Sequence, residues 1–201
     1  MKRKGILIVL SGPSGAGKGT VRSHLFSCDD TITYSISATT RLPRAGEADG
    51  IDYYFVAKAR FEEMIRNGEL MEWAAIYDYY YGTPEKPVLK TLDQGRDVVL
   101  EIDVQGALKV KEKYPLGVYI FLAPPSMEEL AIRLRSRASD ALEEIETRLS
   151  WSAKEIALAK KYNYLVINDD VELAVDKIRA IIKAERCRPW LYSLEQAWFA
   201  R

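Results

Sequence analysis

Cysteine, histidine and excess charge are all scarce in this sequence, and each scarcity argues against a class of protein. The 201 residues include two cysteines and one histidine, and 29 basic side chains balance 29 acidic ones. Cys28 and Cys187 match no metal-binding or redox spacing, so we interpret them as reduced core thiols. His24 has no nucleophile or base partner in the sequence and receives no catalytic role. A zero net charge disfavours nucleic-acid binding through many phosphate contacts.

Long apolar runs are also missing. No stretch approaches the roughly 18 to 20 consecutive apolar residues that a membrane-spanning helix needs. The short apolar segment at residues 5–10 leads into glycine, proline and lysine instead of a small-residue cleavage site. We therefore interpret it as a core strand rather than a secretory signal. The expectation is a soluble, cytoplasmic protein without a membrane partner.

Nearly continuous apolar runs with strand character alternate with helical patterns along the chain. Continuous runs predict strands that are covered on both faces. Their alternation with helices predicts an open, mainly parallel α/β sheet whose ligands gather at the carboxyl ends of the strands. The predicted strands are 5–11, 97–103, 117–122 and 164–167, and the predicted helices are 20–26, 126–137, 143–162 and 172–186.

Two stretches interrupt this alternation. Residues 33–83 are rich in tyrosine and threonine, which predicts a small β-rich insertion that carries one helix around residues 61–65. Residues 133–148 concentrate arginines around a non-periodic patch at 138–142. We interpret that patch as a mobile loop.

A glycine-rich segment between the first strand and the first helix fits the spacing of a phosphate-binding loop. In such a loop, backbone N–H groups surround a polyphosphate and the N-terminus of the following helix adds positive potential. A lysine at the position of Lys18 reaches the β and γ phosphates, so we predict that it is a catalytic residue. The predicted triphosphate-binding residues are Gly12, Pro13, Ser14, Gly15, Ala16, Gly17, Lys18, Gly19 and Thr20.

One residue of this loop departs from the usual pattern. Gly19 stands where a serine or threonine commonly offers its hydroxyl to Mg²⁺, and the hydroxyl comes one position later at Thr20. This form of the loop resembles that of adenylate kinases. A small-molecule kinase that accepts AMP is therefore one alternative, and direct ligation of the metal by the loop stays open.

Residues 35–47, followed by Gly50 and Asp52-Tyr53, closely resemble the GMP-binding signature of guanylate kinases. In that family arginines and a tyrosine hold the GMP phosphate, a serine lies near the guanine and a glutamate supports the arginines. Guanidinium groups match phosphate oxygens in a way that lysine cannot. The matching residues are Arg41, Arg44, Tyr53, Ser37 and Glu47, and the resemblance also implies a catalytic role for Arg41.

The segments 72–74 and 80–83 extend the resemblance, which implies that Glu72 and Thr83 meet the base and that Tyr81 meets the phosphate. The chemistry agrees, because guanine carries N1–H and N2–H donors beside its O6 acceptor. A carboxylate at Glu72 can accept from both donors while the hydroxyl of Ser37 or Thr83 serves O6. Adenine lacks such a pair of donors, so a site of this kind disfavours AMP by a factor on the order of 10⁴.

Two carboxylates end the strand predicted at 97–103. Glu101 and Asp103 are two residues apart and therefore point to the same face of the strand. The segment resembles the corresponding guanylate kinase strand, where the first acid is often aspartate. The resemblance implies that Glu101 organises Lys18 or the waters of Mg²⁺ and that Asp103 faces GMP. A solvated strand end is the alternative.

The resemblance continues into the arginine-rich segment and beyond it. It implies a lid over the reacting phosphates and an edge of the adenine site after the last strand, although Asp169 and Asp170 could also cap the final helix. The lid core, residues 138–142, departs from the family pattern. The implied catalytic residues are Arg137 and Arg148, and the implied ATP-binding residues are Arg133, Asn168 and Asp169.

The resemblance covers residues 5–186 and implies a nucleoside monophosphate kinase of the P-loop fold. We expect transfer of the γ-phosphoryl group of ATP to GMP and dGMP, with Mg²⁺, in purine nucleotide metabolism. A related scaffold domain that binds partner proteins and has lost catalysis is an alternative from another functional class. The oligomeric state is not predicted, and both a monomer and a homodimer stay open. The expected parts are a core at 1–32, 84–132 and 150–201, a GMP-binding region at 33–83 and a helical lid at 133–149.

Overall fold

The computed structural model describes residues 3–44, 46–76, 78–136 and 142–193, with the backbone alone at 142–144. None of the described helices is long and apolar enough to cross a membrane. The helices are α1 Lys18–Cys28, α2 Lys58–Arg66, α3 Glu85–Asp93, α4 Val104–Lys113, α5 Met127–Arg135, α6 Leu142–Ala157 and α7 Val171–Glu185, with 3₁₀ turns at Ala159–Lys161 and Pro189–Leu191. The strands are β1 Leu7–Ser11, β2 Ile32–Tyr34, β3 Ala38–Thr39, β4 Tyr54–Phe55, β5 Leu70–Ile76, β6 Tyr79–Pro84, β7 Asp97–Glu101, β8 Val118–Ala123 and β9 Tyr164–Ile167.

The main sheet has five parallel strands in the order β2-β7-β1-β8-β9. Strands β1 and β8 are buried along their whole length, as the continuous apolar runs predict. Helices α1 and α7 pack on one face around Ile8 and Ile178, whereas α3 and α4 cover the other around Val9 and Val110. The predicted mainly parallel sheet between helices is confirmed.

The second sheet has four strands in the order β4-β3-β6-β5. Helix α2 packs against it through the buried side chains of Phe61 and Met64, and the ring of Tyr80 stacks on Phe61 at 5.4 Å between centroids. The predicted β-rich insertion with one helix is confirmed. Strand β2 belongs to the main sheet, so the second sheet begins only at β3.

Several local expectations differ from the structure. Helices α3 and α4 were not predicted, and the helix expected over 143–162 ends at Ala157 before a 3₁₀ turn. The interpretation of the cysteines as core thiols is wrong, because Cys28 and Cys187 are both free and exposed. Cys28 ends α1 and Cys187 follows the end of α7, where the chain leaves the packed layer. The patch at 138–141 lies outside the described residues.

A buried carboxylate joins the N-terminal segment to the end of α7 at the amino ends of the main-sheet strands, opposite the glycine-rich loop. Asp97, the first residue of β7, accepts hydrogen bonds from Arg3 Nη1 at 2.6 Å, Ile6 N at 2.9 Å and Arg186 Nε at 2.6 Å. Its side chain is fully buried. A buried carboxylate is stable only with such partners, so this cluster ties the N-terminal segment and α7 to the main sheet.

We expect Asp97→Ala to lower the free energy of unfolding by about 3 kcal/mol, since it leaves two arginines without their buried partner. Urea denaturation measures this change. Asp176→Ala is the matched control, because Asp176 is exposed and pairs with Arg179 at 3.4 Å. This variant should lower the free energy of unfolding by less than about 0.5 kcal/mol. Equal losses in the two variants would contradict the role given to Asp97.

Candidate active site

The glycine-rich loop lies between the carboxyl end of β1 and the first turn of α1. Its shape leaves no room for side chains at two points. A Cβ atom on Gly12 would lie 2.1 Å from the carbonyl oxygen of Leu122, and one on Gly17, which has φ of 88°, would lie 2.4 Å from Asn168 Nδ2. Glycine is therefore required at both positions.

The ammonium of Lys18 lies against its own loop. Its Nζ donates hydrogen bonds to the carbonyl oxygens of Gly12 at 2.6 Å and Pro13 at 3.0 Å. Lys18 is the first residue of α1, so the positive end of the helix adds to the charge of the ammonium. The loop thus presents a concentrated positive potential of the kind that binds polyphosphates.

Asn168 supports this loop from the end of β9. Its buried side chain donates from Nδ2 to the backbone carbonyl oxygen of Ala16 at 2.8 Å. The backbone carbonyl oxygen of Asn168 accepts from Arg133 Nη2 at 3.1 Å. Two predicted ATP-binding residues, Arg133 and Asn168, therefore contact each other beside the loop. Asp169 is exposed next to them, and Asp170 rather than Asp169 caps α7 by accepting from Leu173 N at 2.9 Å.

Two adjoining clefts open at the carboxyl end of the main sheet. The larger, of about 750 Å³, runs from the glycine-rich loop to α6, and the smaller, of about 220 Å³, runs towards the second sheet. Lys18, Ile76 and Asp103 line both clefts, so the two spaces meet at the ammonium. The larger cleft is also lined by Gly12, Ser14, Thr147, Arg148, Trp151, Ser152 and Glu155, and the smaller by Ser37, Tyr53, Glu72, Tyr81, Gly82, Glu101 and Ile102.

Glu72 lies at the inner end of the smaller cleft and is only 6% exposed. Thr83 Oγ1 donates to its Oε1 at 2.7 Å. The pKa of Glu72 is raised to about 7, chiefly by burial and also by the charge of Asp103, although the hydrogen bond from Thr83 opposes the shift. A Cβ atom on Gly106 would lie 3.0 Å from Glu72 Oε2, so the first turn of α4 closes one side of the carboxylate.

Arg41 lies behind the smaller cleft, beside Tyr53 and Tyr81 which line it, and in the described part of the chain it lines neither cleft itself. Arg41 donates from Nη1 and Nη2 to both carboxylate oxygens of Glu47, at 2.9 and 2.8 Å, and its guanidinium lies 5.5 Å from the ring centre of Tyr53. Bonds to Glu47 raise the pKa of Arg41 above its usual value, and the Tyr81 hydroxyl adds to this. The cation is therefore fixed in place, with two tyrosines beside it.

Glu47 and Arg44 have different surroundings near Arg41. Glu47 Oε2 also accepts from the backbone N–H of Arg44 at 2.7 Å, so this carboxylate is engaged by the loop that carries both arginines. Glu47 therefore holds the Arg41 side chain and the backbone of Arg44 together. The side chain of Arg44 is exposed and lines neither cleft in the described part of the chain.

The two carboxylates at the end of β7 have distinct positions. Asp103 lines both clefts, and its Oδ1 also caps α4 by accepting from Gln105 N at 2.8 Å and Gly106 N at 3.0 Å. Glu101 lines the smaller cleft and pairs loosely with Arg22, with 3.3 Å between Oε2 and Nη1. Within the described ranges, no three acidic, histidine or cysteine residues cluster closely enough to hold a metal by themselves.

Helix α6 contributes residues that sequence reasoning missed. Trp151 and Glu155 line the larger cleft beside Arg148, which was predicted. Burial raises the pKa of Glu155, while the charge of Lys18 opposes the shift. The spacing 148, 151 and 155 places these side chains on one face of a helix, and that pattern could have identified them. Thr20 is exposed on the first turn of α1, and Arg137 lies outside the described residues.

Comparison with known proteins identifies the family. The guanylate kinase family model matches residues 4–185. A guanylate kinase of Caldanaerobacter subterraneus subsp. tengcongensis is 57% identical over 94% of this chain and 91% of its own, and one of Halalkalibacterium halodurans is 54% identical over 93% and 92%. The crystal structure of guanylate kinase from Anaplasma phagocytophilum superposes with a TM-score of 0.79 at 36% identity, covering 99% of this chain and 97% of the other.

These matches extend over nearly the whole chain and include both sheets. They confirm the resemblance carried by the motifs and the expected P-loop nucleoside monophosphate kinase fold. The chain belongs to the guanylate kinase family.

Proposed function

We propose that this protein transfers the γ-phosphoryl group of ATP to GMP and dGMP, giving ADP and the nucleoside diphosphate, in purine nucleotide metabolism. The observation that carries the proposal is the meeting of two clefts at Lys18, one ending on a phosphate-binding loop and the other on a buried carboxylate. A donor phosphate and an acceptor phosphate would meet at that ammonium. This is the arrangement that direct transfer between two nucleotides requires.

The ATP site in this proposal is the larger cleft with the loop at 12–20. The backbone N–H groups and Lys18 hold the β and γ phosphates, and Thr20 stands on the first turn of α1. Arg133, Asn168 and Asp169 border the adenine, which is supported by the contact of the first two beside the loop.

The GMP site in this proposal is the smaller cleft. Glu72 accepts from guanine N1–H and N2–H, with Ser37, Thr83 and Asp103 around the base. The fixed guanidinium of Arg41 holds the phosphate, supported by the ion pair with Glu47. Three further residues take part: Tyr53 and Tyr81 line the same cleft, and Arg44 joins from its exposed position when the nucleotide enters.

Catalysis in this scheme is alignment and charge stabilisation. The GMP phosphate is already ionised, so transfer needs no general base. The transferred group keeps its oxygens highly charged, and fixed cations aimed at those oxygens lower the barrier. We propose that Lys18, Arg41, Arg137 and Arg148 supply these cations; Arg148 lines the cleft beside Lys18.

A divalent cation, Mg²⁺, completes the proposal. When bound with ATP, it would offset part of the charge of the phosphates. Glu101 suits such a group, because its carboxylate lines the smaller cleft and its buried Oε2 has an ion pair with Arg22 at 3.3 Å but no hydrogen bond in the described structure. Carboxylate and hydroxyl oxygens are ligands that Mg²⁺ accepts, often through water. Glu101 and Thr20 are the residues that would hold it in this way.

The parts of the chain follow from these sites. We propose that residues 33–83 bind GMP, that 133–149 form the lid and that the remainder is the P-loop core. We also propose the cytoplasm as the location, where both nucleotides are available. Sedimentation would decide between monomer and homodimer.

A coupled ADP-release assay with GMP, dGMP, AMP and UMP at equal concentration tests the proposed activity. We expect turnover with GMP and dGMP at least about 10³ times faster than with AMP, because adenine leaves the buried carboxylate unpaired. Preference for AMP would support the adenylate-kinase-like alternative. Absence of turnover with all four would support a scaffold domain without catalysis.

The raised pKa of Glu72 predicts a pH dependence of GMP use. The carboxyl is mostly neutral below its pKa of about 7, and a neutral carboxyl cannot accept from both guanine donors. The charges nearest to it are Asp103, which raises the pKa, and Lys109, which lowers it. From pH 8 to pH 6 the ionised fraction falls about tenfold, so KM for GMP should rise about tenfold. Initial rates at saturating ATP measure this.

Two controls separate this effect from other titrations. The GMP phosphate itself titrates near pH 6, so some pH dependence persists without Glu72. Glu72→Gln should keep only that residual dependence, and KM for ATP should change little over the same range. A variant whose GMP profile matches that of the wild type would refute the assignment of the profile to Glu72.

A further inference from the structure

Glu72 lies in an irregular part of its strand. The pairing of β5 with β6 shifts by one residue between Leu70 and Trp73, so β5 carries one extra residue there and forms a bulge. Bulges beside active sites redirect the side chains that they carry. β5 is also an edge strand of the second sheet, and α4 packs against it. The position of the Glu72 carboxylate therefore depends on contacts with α4 as well as on pairing with β6.

Lys109 makes a contact that ties α4 to this bulge. Its Nζ donates to the backbone carbonyl oxygen of Trp73 at 3.1 Å and lies 5.7 Å from the centre of the Trp73 ring. Gly106 lies three residues earlier in α4, and a Cβ atom there would lie 3.0 Å from Glu72 Oε2. Residues three apart share one face of a helix. The ammonium thus approaches β5 from the face of α4 that borders the carboxylate.

The charge of Lys109 also acts on Glu72. Burial, chiefly, and the charge of Asp103 raise the pKa of Glu72, whereas the hydrogen bond from Thr83 and the charge of Lys109 oppose the rise. A nearby cation favours the ionised carboxylate, which is the form that can accept from two donors. The charged and titratable groups that line the smaller cleft with Glu72 are Lys18, Tyr53, Tyr81, Glu101 and Asp103.

We propose that Lys109 is a positioning residue of the acceptor site, which holds the bulge that carries Glu72 and keeps this carboxylate ionised for guanine. The inference rests on the proposed function. It adds a residue outside the clefts, because Lys109 is exposed and lines neither cleft in the described part of the chain. Lys109 acts through Glu72 and touches neither nucleotide.

Lys109→Met and Lys109→Arg test the proposal through the pH dependence of KM for GMP. Methionine removes the charge, so less of Glu72 is ionised wherever the carboxyl titrates. We expect KM to rise about threefold at pH 6 but less than about 1.5-fold at pH 8, where Glu72 is mostly ionised even without Lys109. Arginine keeps the charge and a donor, so KM should stay within about twofold of the wild type at both pH values.

Two further measurements isolate the charge. About 0.5 M NaCl should shrink the difference between Lys109→Met and the wild type at pH 6, because an exposed charge is screened by salt. In a Glu72→Gln background, which has no carboxyl to ionise, Lys109→Met should change kcat/KM for GMP by less than about 1.5-fold.

Lys111→Met is the matched control. Lys111 lies on the same helix and also donates to a backbone carbonyl oxygen, that of Lys161, at 2.7 Å. Its replacement should change KM for GMP by less than about 1.5-fold at both pH values. A threefold rise at pH 6 in this control as well would assign the effect to the overall charge of the protein and overturn the inference.

Failure of the inference and failure of the proposed function give different results. If Glu72→Gln leaves kcat/KM for GMP unchanged, Glu72 does not bind guanine and the proposed acceptor site is wrong. If Glu72→Gln weakens GMP use while Lys109→Met leaves KM at pH 6 unchanged, only the inference is overturned. A rise in KM by the same factor at pH 6 and pH 8 also overturns it, because Lys109 would then have no effect on the charge of Glu72.

Discussion

Lys18→Met should lower kcat by about 10³, because it removes the one cation that lines both clefts of the described structure. The ammonium stands where donor and acceptor phosphates would meet, and the loop carbonyls of Gly12 and Pro13 already hold it there. Methionine keeps the length of the side chain and loses the charge. Initial rates at saturating ATP and GMP measure the change.

The control for this variant is Lys111→Met. Lys111 donates to the carbonyl oxygen of Lys161 at 2.7 Å and is absent from the lining of both clefts. Its replacement should leave kcat within about twofold. Thermal melting of both variants checks that they fold. A decrease in kcat of less than about tenfold in a folded Lys18→Met protein would mean that this ammonium does not stabilise the transferred group.

Glu72→Gln should lower kcat/KM for GMP by about 10³ while KM for ATP changes little. The amide keeps the shape of the carboxylate but turns one acceptor into a donor that faces a guanine N–H. The amide N–H and the guanine N–H would then both be buried without an acceptor, and each unpaired donor weakens binding. Thr83, which donates to Glu72 Oε1, can still donate to the amide oxygen, so the loss reflects the guanine contact. Kinetics with each nucleotide varied in turn measure it.

Folding is not expected to limit this variant. Burial raises the pKa of Glu72 in the folded protein to about 7 from an ordinary value near 4.5. The folded state therefore binds the proton more tightly than the unfolded chain does. As pH rises from about 4.5 to about 7, ionisation of Glu72 consequently lowers the free energy of unfolding of the protein. Glutamine avoids that loss, and the free energy of unfolding at pH 8 should rise. Glu63→Gln, at an exposed helix position, is the matched control.

Strongly patterned segments of the fold were predictable from sequence. Strands β1, β7 and β8 are nearly continuous apolar runs and are buried on both faces, as such runs indicate, whereas β9 was expected to be covered in the same way but lies at the edge of the sheet and leaves Leu165 exposed. Helix α3 was missed because Pro87 interrupts its first turn, where proline is in fact tolerated. The exposed cysteines were misjudged because cysteine is so often buried that composition alone favours the core.

The site was predictable where a motif is contiguous and unpredictable where the fold assembles it. Lys18, Arg41 and Glu72 belong to motifs that can be read along the chain. The contact of Asn168 with the carbonyl of Ala16 joins residues 152 positions apart, which the pairing of β8 with both β1 and β9 brings together. Glu155 likewise enters the cleft because α6 returns across the carboxyl end of the sheet.

A crystal structure with GMP and a non-hydrolysable ATP analogue would show whether Glu72 binds the guanine base. We expect guanine N1 and N2 within about 3.2 Å of the Glu72 carboxylate, with the triphosphate on the loop at 12–18. We also expect the GMP phosphate to contact Arg41. A complex in which guanine is bound away from Glu72, or in which GMP occupies the phosphate-binding loop, would refute the proposed division of the two nucleotide sites.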